Sequence, residues 1–290
     1  MFIQVLVGGL VLGSTYAMLA LGYSLIYRAS GYMNFAQPDL LMIGAFLGLM
    51  FFRDLGLPFI IVMLLVVISM FFVGTLMERT AFRTLVKKEA KNIYIVLATI
   101  AFSIILQNAA MLIWDSRQHG MPPVFQHTQS IQVGNAMIRP ESIMAIVVSL
   151  SAMILLTLFL NKTKFGTAMR ATAQNKIAAN AMGINVWRTI SVSYGIAAIL
   201  AGIGGLIVAP TLGVSMNLGQ QLGARSFAGA VVGGFGNMYG AMAGAVMIGL
   251  VETFVSAYIG SIYTGFVIFF LLIFVMIVRP NGLFNAKAYD

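Results

Sequence analysis

RASGYMNFAQPDLLMIGAF, Arg28–Phe46, is the stretch whose reading decides the fold. It gathers Arg28, Asn34, Gln37 and Asp39 within a dozen residues, with Pro38 among them, yet it lies between the apolar runs Phe2–Tyr27 and Leu40–Phe52. Polar side chains are costly in lipid and proline breaks the helical ladder, so the cluster marks where one membrane helix stops and another starts. The second helix is expected to begin at Asn34–Asp39. Asp39 then falls near its N-terminal end, where the helix dipole favours an acid. Plain capping at a cytoplasmic turn and a role in a transport path both fit that placement.

Outward from this junction, the composition names the solvent. Of 290 residues 60% are hydrophobic and only 9% charged, with mean hydropathy +0.96, against about 25% charged in a soluble domain. Nearly charge-free runs recur at Phe2–Tyr27, Leu55–Met77, Asn92–Trp114, Ser142–Leu160, Thr189–Ala224 and Ser226–Val278. Most approach or exceed the roughly 20 residues that cross a bilayer as a helix. None shows the alternation of a barrel strand, and in lipid only helices then satisfy the backbone. The expected fold is an all-α polytopic membrane bundle, a single transmembrane domain over 1–290 with about eight or nine spans. Phe2–Tyr27 reads as a retained first helix, because no basic segment precedes it. There is no cysteine, hence no disulfide or thiolate metal site. The net charge of +9 reads as orientation by basic loops rather than affinity for nucleic acid.

Two segments carry that charge. Glu78–Lys91 holds five basic and two acidic residues, and Asn161–Arg188 holds five basic residues and no acid. Both belong in the cytoplasm. Asp115–Glu141, with both histidines, His119 and His127, belongs outside. The N-terminus is then external, and Thr189–Val208 runs outward to an expected stop at Pro210. If Gly223–Gly236 is a broken crossing there are nine spans and the tail with Arg279 and Lys287 lies inside; if it is a shallow loop there are eight. Glycines at four-residue intervals, Gly9/Gly13, Gly44/Gly48, Gly229/Gly233 and Gly236/Gly240/Gly244, predict close helix packing. Gly8–Leu10 before Asn34–Ala36 echoes Gly204–Leu206 before Ser226–Ala228, a faint repeat that would mean pseudo-symmetric halves with matching interrupted helices.

Motifs for catalysis are missing. The chain has neither H-E-x-x-H nor G-x-S-x-G, and no phosphate loop of the G-x-x-x-x-G-K-[ST] kind. An enzyme is not expected, and neither a cofactor nor a metal is called for. Asp39 and Glu252 are the carboxylates near membrane depth, which leaves an ion-coupled secondary transporter as the alternative. Arg170–Met182 favours helix, Gly183 offers a stop, and Trp187 returns the chain to the interface. Such a helix would either dock a partner or lie on lipid headgroups.

The pattern Ile177-Ala178-Ala179-x-x-x-Gly183 resembles the E-A-A-x-x-x-G loop of ABC importer permeases, with Ile177 in place of the glutamate. Met182–Asn185, Gly9–Phe46, Phe227–Glu252 and the terminal Arg279–Phe284 resemble, together, the branched-chain (hydrophobic) amino acid permeases of the LivH type. The resemblance covers essentially the whole chain. It departs at Gln37-Pro38-Asp39, where the family often has His-Gly-Glu, so a role for that histidine does not carry over. It implies a permease subunit in the bacterial inner membrane. The implied partners are a second homologous permease, two cytoplasmic ABC ATPases and a periplasmic substrate-binding protein, with membrane lipid around them. Within the cytoplasmic loop 161–188 it implies a coupling helix: Lys176, Ile177, Ala178, Ala179, Gly183, Ile184 and Asn185 would meet an ATPase. A zwitterionic cargo needs occasional donors and acceptors along its path, and Asn34, Gln37, Asp39, Gln107, Asn108 and Glu252 are the candidates. Amide, urea or sugar cargoes remain alternatives.

Overall fold

The computed structural model describes residues 2–125, 131–133 and 136–284; His127 and Lys287 lie outside them. The chain forms a helical bundle. In order come α1 (Phe2–Ser30), α2 (Gln37–Leu49), α3 (Phe59–Met77), α4 (Arg83–Lys87), α5 (Asn92–Trp114), α6 (Pro140–Lys162), α7 (Lys164–Gln174), α8 (Lys176–Ala181), α9 (Val186–Leu212), α10 (Leu218–Gly233), α11 (Met238–Tyr258) and α12 (Thr264–Val278). A small antiparallel hairpin, β1 (Ile131–Val133) with β2 (Ala136–Ile138), sits in the loop before α6. A π turn, Glu78–Phe82, carries α3 into α4.

Among the described residues seven helices are long and apolar enough to cross a membrane, fewer than the eight or nine expected. The difference lies in α2 and α10, of 13 and 16 residues. Helix α10 is shorter than a full crossing, whereas α2 continues unbroken into a π turn, Met50–Asp54, and carries three charged residues, Asp39, Arg53 and Asp54, over that stretch. Pro210 also differs from expectation: α9 continues through it to Leu212 and ends at Gly213, which takes φ +76°. So close to the terminus, proline removes a single ladder bond, and glycine supplies the actual stop.

Small residues set the core. An added Cβ at Gly13 of α1 would lie 2.9 Å from Val246 Cα of α11, and one at Gly74 of α3 2.5 Å from the Tyr194 carbonyl of α9. Gly44 of α2 meets Gly202 of α9, and Gly244 of α11 meets Gly229 and Gly233 of α10. In lipid such close backbone approach replaces the hydrophobic effect as the source of helix association. Helices α1 and α9 are consequently central and largely buried. By contrast α3 and α12 are peripheral, exposing Ile60, Leu64, Ile68, Phe72 and Leu76 on one and Phe266, Phe270, Phe274 and Ile277 on the other.

The bundle contains two matching interruptions. Helix α1 ends at Ser30, Gly31 takes φ +83°, and a turn leads into α2; α9 ends at Leu212, Gly213 takes φ +76°, and a turn leads into α10. The residues before the short helices, Ala36 and Asn217, have φ/ψ of −83°/−3° and −84°/−4°. Their turns share hydrogen bonds too: Gln37 N–H donates to Asn34 O and Leu40 N–H to Ala36 O, as Leu218 N–H does to Ser215 O and Gln221 N–H to Asn217 O. The halves run oppositely. Gly44 and Gly48 of α2 lie beside Gly202 and Leu206, so α2 runs with α9; Phe227 of α10 and Phe235 just after it pack on Tyr23 and Tyr27, so α10 runs with α1. The short helices start back to back, with Gly219 and Gly223 against Pro38. The echoed words of the sequence are not this repeat, since Ser226–Ala228 falls inside α10 while Asn34–Ala36 precedes α2. At the far end, Leu283 N–H donates to Val232 O, which puts Arg279–Phe284 beside the C-terminal end of α10.

Candidate functional site

Helix α8, in the loop 161–188, is built from its caps. Asn175 is extended, and its Oδ1 accepts from Ile177 N–H and Ala178 N–H, both at 2.9 Å, satisfying donors that a helix start leaves free. The expected single helix over Arg170–Met182 is therefore two, α7 and α8, split at this cap. Gly183, with φ +81°, closes α8: Ile184 N–H donates to Ala179 O and Gly183 N–H to Asn180 O, both at 3.0 Å. Asn185 then caps α9, its Oδ1 accepting from Arg188 N–H at 3.0 Å. Ala179 faces inward, while Ile177 and Met182 are 84% and 82% exposed.

Hydrogen bonds on two sides anchor this segment to the bundle. Lys176 Nζ donates to Ser30 O at 2.5 Å, the last residue of α1 beside the first interruption, and sits 6.0 Å from the Tyr32 ring. Partial burial lowers the Lys176 pKa from the usual lysine value. On the other side Arg83 forms a two-pronged pair with Glu78 at 3.1 and 3.0 Å and donates to Trp187 O at 3.1 Å, while Arg83 and Lys87 lie 5.5 and 5.9 Å from the Trp187 ring. The two basic segments are thus clasped together. Between them a cavity of about 330 Å³ opens, walled by Phe82, Val86, Lys176, Ile177, Trp187 and Ile190.

The candidates at membrane depth fall into three groups. Asn34, Gln37 and Asp39 are 1%, 0% and 2% exposed. Asn34 Oδ1 accepts from Ala36 N–H at 3.1 Å, holding the turn before α2, and Gln37 Nε2 donates to Ala197 O of α9 at 2.9 Å. Asp39 ties α2 to α5: Ser103 Oγ donates to Oδ2 at 2.5 Å and Gln107 Nε2 to Oδ1 at 2.8 Å. Gln107 therefore joins this cluster. Asn108 does not: it is exposed and donates to its own helix at Ile104 O, 2.8 Å away. Glu252 belongs elsewhere, buried inside α11, where it pairs with Arg225 of α10 and accepts from Tyr16 OH of α1 at 2.8 Å.

Residues 5–276 match the model of a family described as branched-chain amino acid transport system / permease component. The chain belongs to this permease family. One relative is the high-affinity branched-chain amino acid transport system permease protein BraD of Pseudomonas aeruginosa, 34% identical over 97% of this chain and 95% of that one. Another, LivH of Escherichia coli strain K12, is 32% identical over the same shares. A solved structure, PsaBC from Streptococcus pneumoniae in complex with Fab, aligns with 94% of this chain and 91% of its own at 13% identity and TM-score 0.49.

This permease is a multi-pass membrane protein. Among its described residues no group of three or more His, Asp or Glu could hold a metal. Sequence reasoning missed the Tyr16–Arg225–Glu252 cluster and the Arg83–Glu78–Trp187 clasp. Arg225 carried a signal, a lone cation separating two long apolar runs, but its partners lie on helices distant in sequence.

Proposed function

We propose that this permease is the membrane-spanning subunit of an ATP-driven importer that carries branched-chain or other hydrophobic amino acids across the bacterial cytoplasmic membrane. Hydrolysis takes place on two separate ABC ATPases, a periplasmic binding protein delivers the cargo, and a second homologous permease completes the conduit. The family match and the relatives' names support the cargo class. The observation that carries the mechanism is α8, a capped helix that leaves Ile177 and Met182 bare while its Lys176 holds the end of α1. Apolar side chains so exposed on a rigid cytoplasmic helix suit a cleft on an ATPase.

Lys176, Ile177, Ala178, Ala179, Gly183, Ile184 and Asn185 form the coupling element within loop 161–188. When the ATPases close, α8 moves as a lever. It pulls Ser30 at the first interruption through Lys176 and pushes α9 through Asn185, so both halves of the bundle receive the motion. The cavity behind α8 leaves room for that displacement. Buried as they are, Asn34, Gln37 and Asp39 with Gln107 hold the first interruption shut against α5 and α9, and their release opens it.

Reconstitution of the five-part complex tests this. Lys176→Glu combined with Gly183→Leu is expected to abolish amino acid uptake while ATP hydrolysis continues. Normal ATP-driven uptake by that variant would remove the lever, and uptake that instead collapses with the proton gradient would replace the importer with an ion-coupled transporter.

A further inference from the structure

A guanidinium or an unpaired amide facing acyl chains is expensive, so polar side chains on an uncovered helix face at membrane depth point to water. The bare faces of α3 and α12 are apolar throughout, as lipid requires. Helix α10 breaks the pattern: its exposed residues are Asn217, Gln220, Gln221 and Ala224, followed by Arg225 with 34% of its side chain exposed. Asn217, Gln221 and Arg225 stand four residues apart and form one stripe. Among the described residues the two amide side chains have no hydrogen-bond partner.

The stripe has a direction. Arg225 is held level with the middle of α1 by Glu252 and Tyr16. Each four-residue step back to Gln221 and Asn217 climbs about 6 Å toward the outer loop, where Val214 pairs with His119. Both bonds from Arg225 leave through NH1. Its remaining donors, on Nε and NH2, keep the fork geometry that receives a carboxylate with two parallel bonds.

We infer that Asn217, Gln221 and Arg225 line the outer half of a water-filled conduit, and that Arg225 receives the carboxylate of the passing amino acid. The inference rests on the importer reading and adds the path residues to it. Glu252 holds the guanidinium in place and offsets its charge, so cargo is released rather than trapped.

The chain has no cysteine, so single cysteines introduced into the full complex are reported on this subunit by a mass shift. A charged, membrane-impermeant methanethiosulfonate added from outside is expected to modify Asn217→Cys and Gln221→Cys and block uptake, and to leave Ile68→Cys on α3 and Phe270→Cys on α12 unmodified. No modification at 217 and 221 would overturn the conduit. For Arg225, the double variant R225Q/E252Q removes both charges together; uptake is expected to fall at least about tenfold with ATP hydrolysis retained. Full uptake by the double variant would make the pair purely structural. Arg225→Lys keeps the charge without the fork and is also expected to slow uptake, and unchanged uptake would overturn the carboxylate role. Uptake by the unaltered complex without ATP would instead refute the importer reading, leaving these outcomes distinct.

Discussion

The two interruptions share a backbone and differ in chemistry. At the first, Asn34, Gln37 and Asp39 are buried, Asn34 bonded within its own turn and Gln37 and Asp39 to α9 and α5; at the second, Asn217, Gln220 and Gln221 are exposed, and their side chains have no hydrogen-bond partner among the described residues. One break therefore serves as an internal latch, and the other faces outward. Breaking a membrane helix frees polar groups at depth, and a fold has two ways to accommodate them, partners or water. This chain uses each way once.

The comparison breaks most severely at the point where the interruptions touch. Gly219→Leu would push its Cβ into the Pro38 carbonyl, 2.5 Å away, and overpacking of backbone against backbone is expected to cost about 3 kcal/mol or more. Loss of monodisperse protein in detergent would show it, and a well-folded variant would mean that the short helices are not braced on each other.

A smaller loss is expected at the latch. Asp39→Ala strands the Ser103 hydroxyl and the Gln107 amide, an expected cost of about 2–3 kcal/mol read as a lower unfolding temperature, whereas Asp39→Asn retains an acceptor and should lose less. Equal effects of the two would place the latch elsewhere.

Lys176→Ala sharpens the link between the latch and α8. The lysine is half exposed, so stability should change by about 1 kcal/mol or less, while uptake per ATP hydrolysed should drop; coupling measured in proteoliposomes decides it. The smallest thermodynamic effect belongs to the second interruption. Gln221→Ala removes no side-chain bond among the described residues and should leave stability within about 0.5 kcal/mol, although uptake slows. A clear loss of stability would show that the amide is paired after all.

Much of this architecture was legible in the residues. The apolar runs, the Gly183 stop and the junction at Asn34–Asp39 all stand where they were expected. Helix lengths at the interruptions were not, because an apolar residue is equally at home in a short helix or in the extended backbone before it. Gln107 and Asn108 show a second limit. They are adjacent in sequence and similar in chemistry, yet neighbours on a helix point about 100° apart, so one reaches Asp39 and the other faces away. Glu252 shows a third: as a lone carboxylate it had no visible partner, since Arg225 and Tyr16 lie on α10 and α1.

The amino-acid sequence by itself determined that this protein lives in lipid, that it is helical and where its charged loops fall. Those properties are sums of local terms, the transfer cost of each side chain and the charge of each loop, and they need no knowledge of neighbours. Tertiary structure alone decided which polar residues are satisfied inside the chain and which are left open to water. That distinction depends on whether a partner from a distant helix arrives within hydrogen-bonding distance, and only the packed bundle brings those helices together.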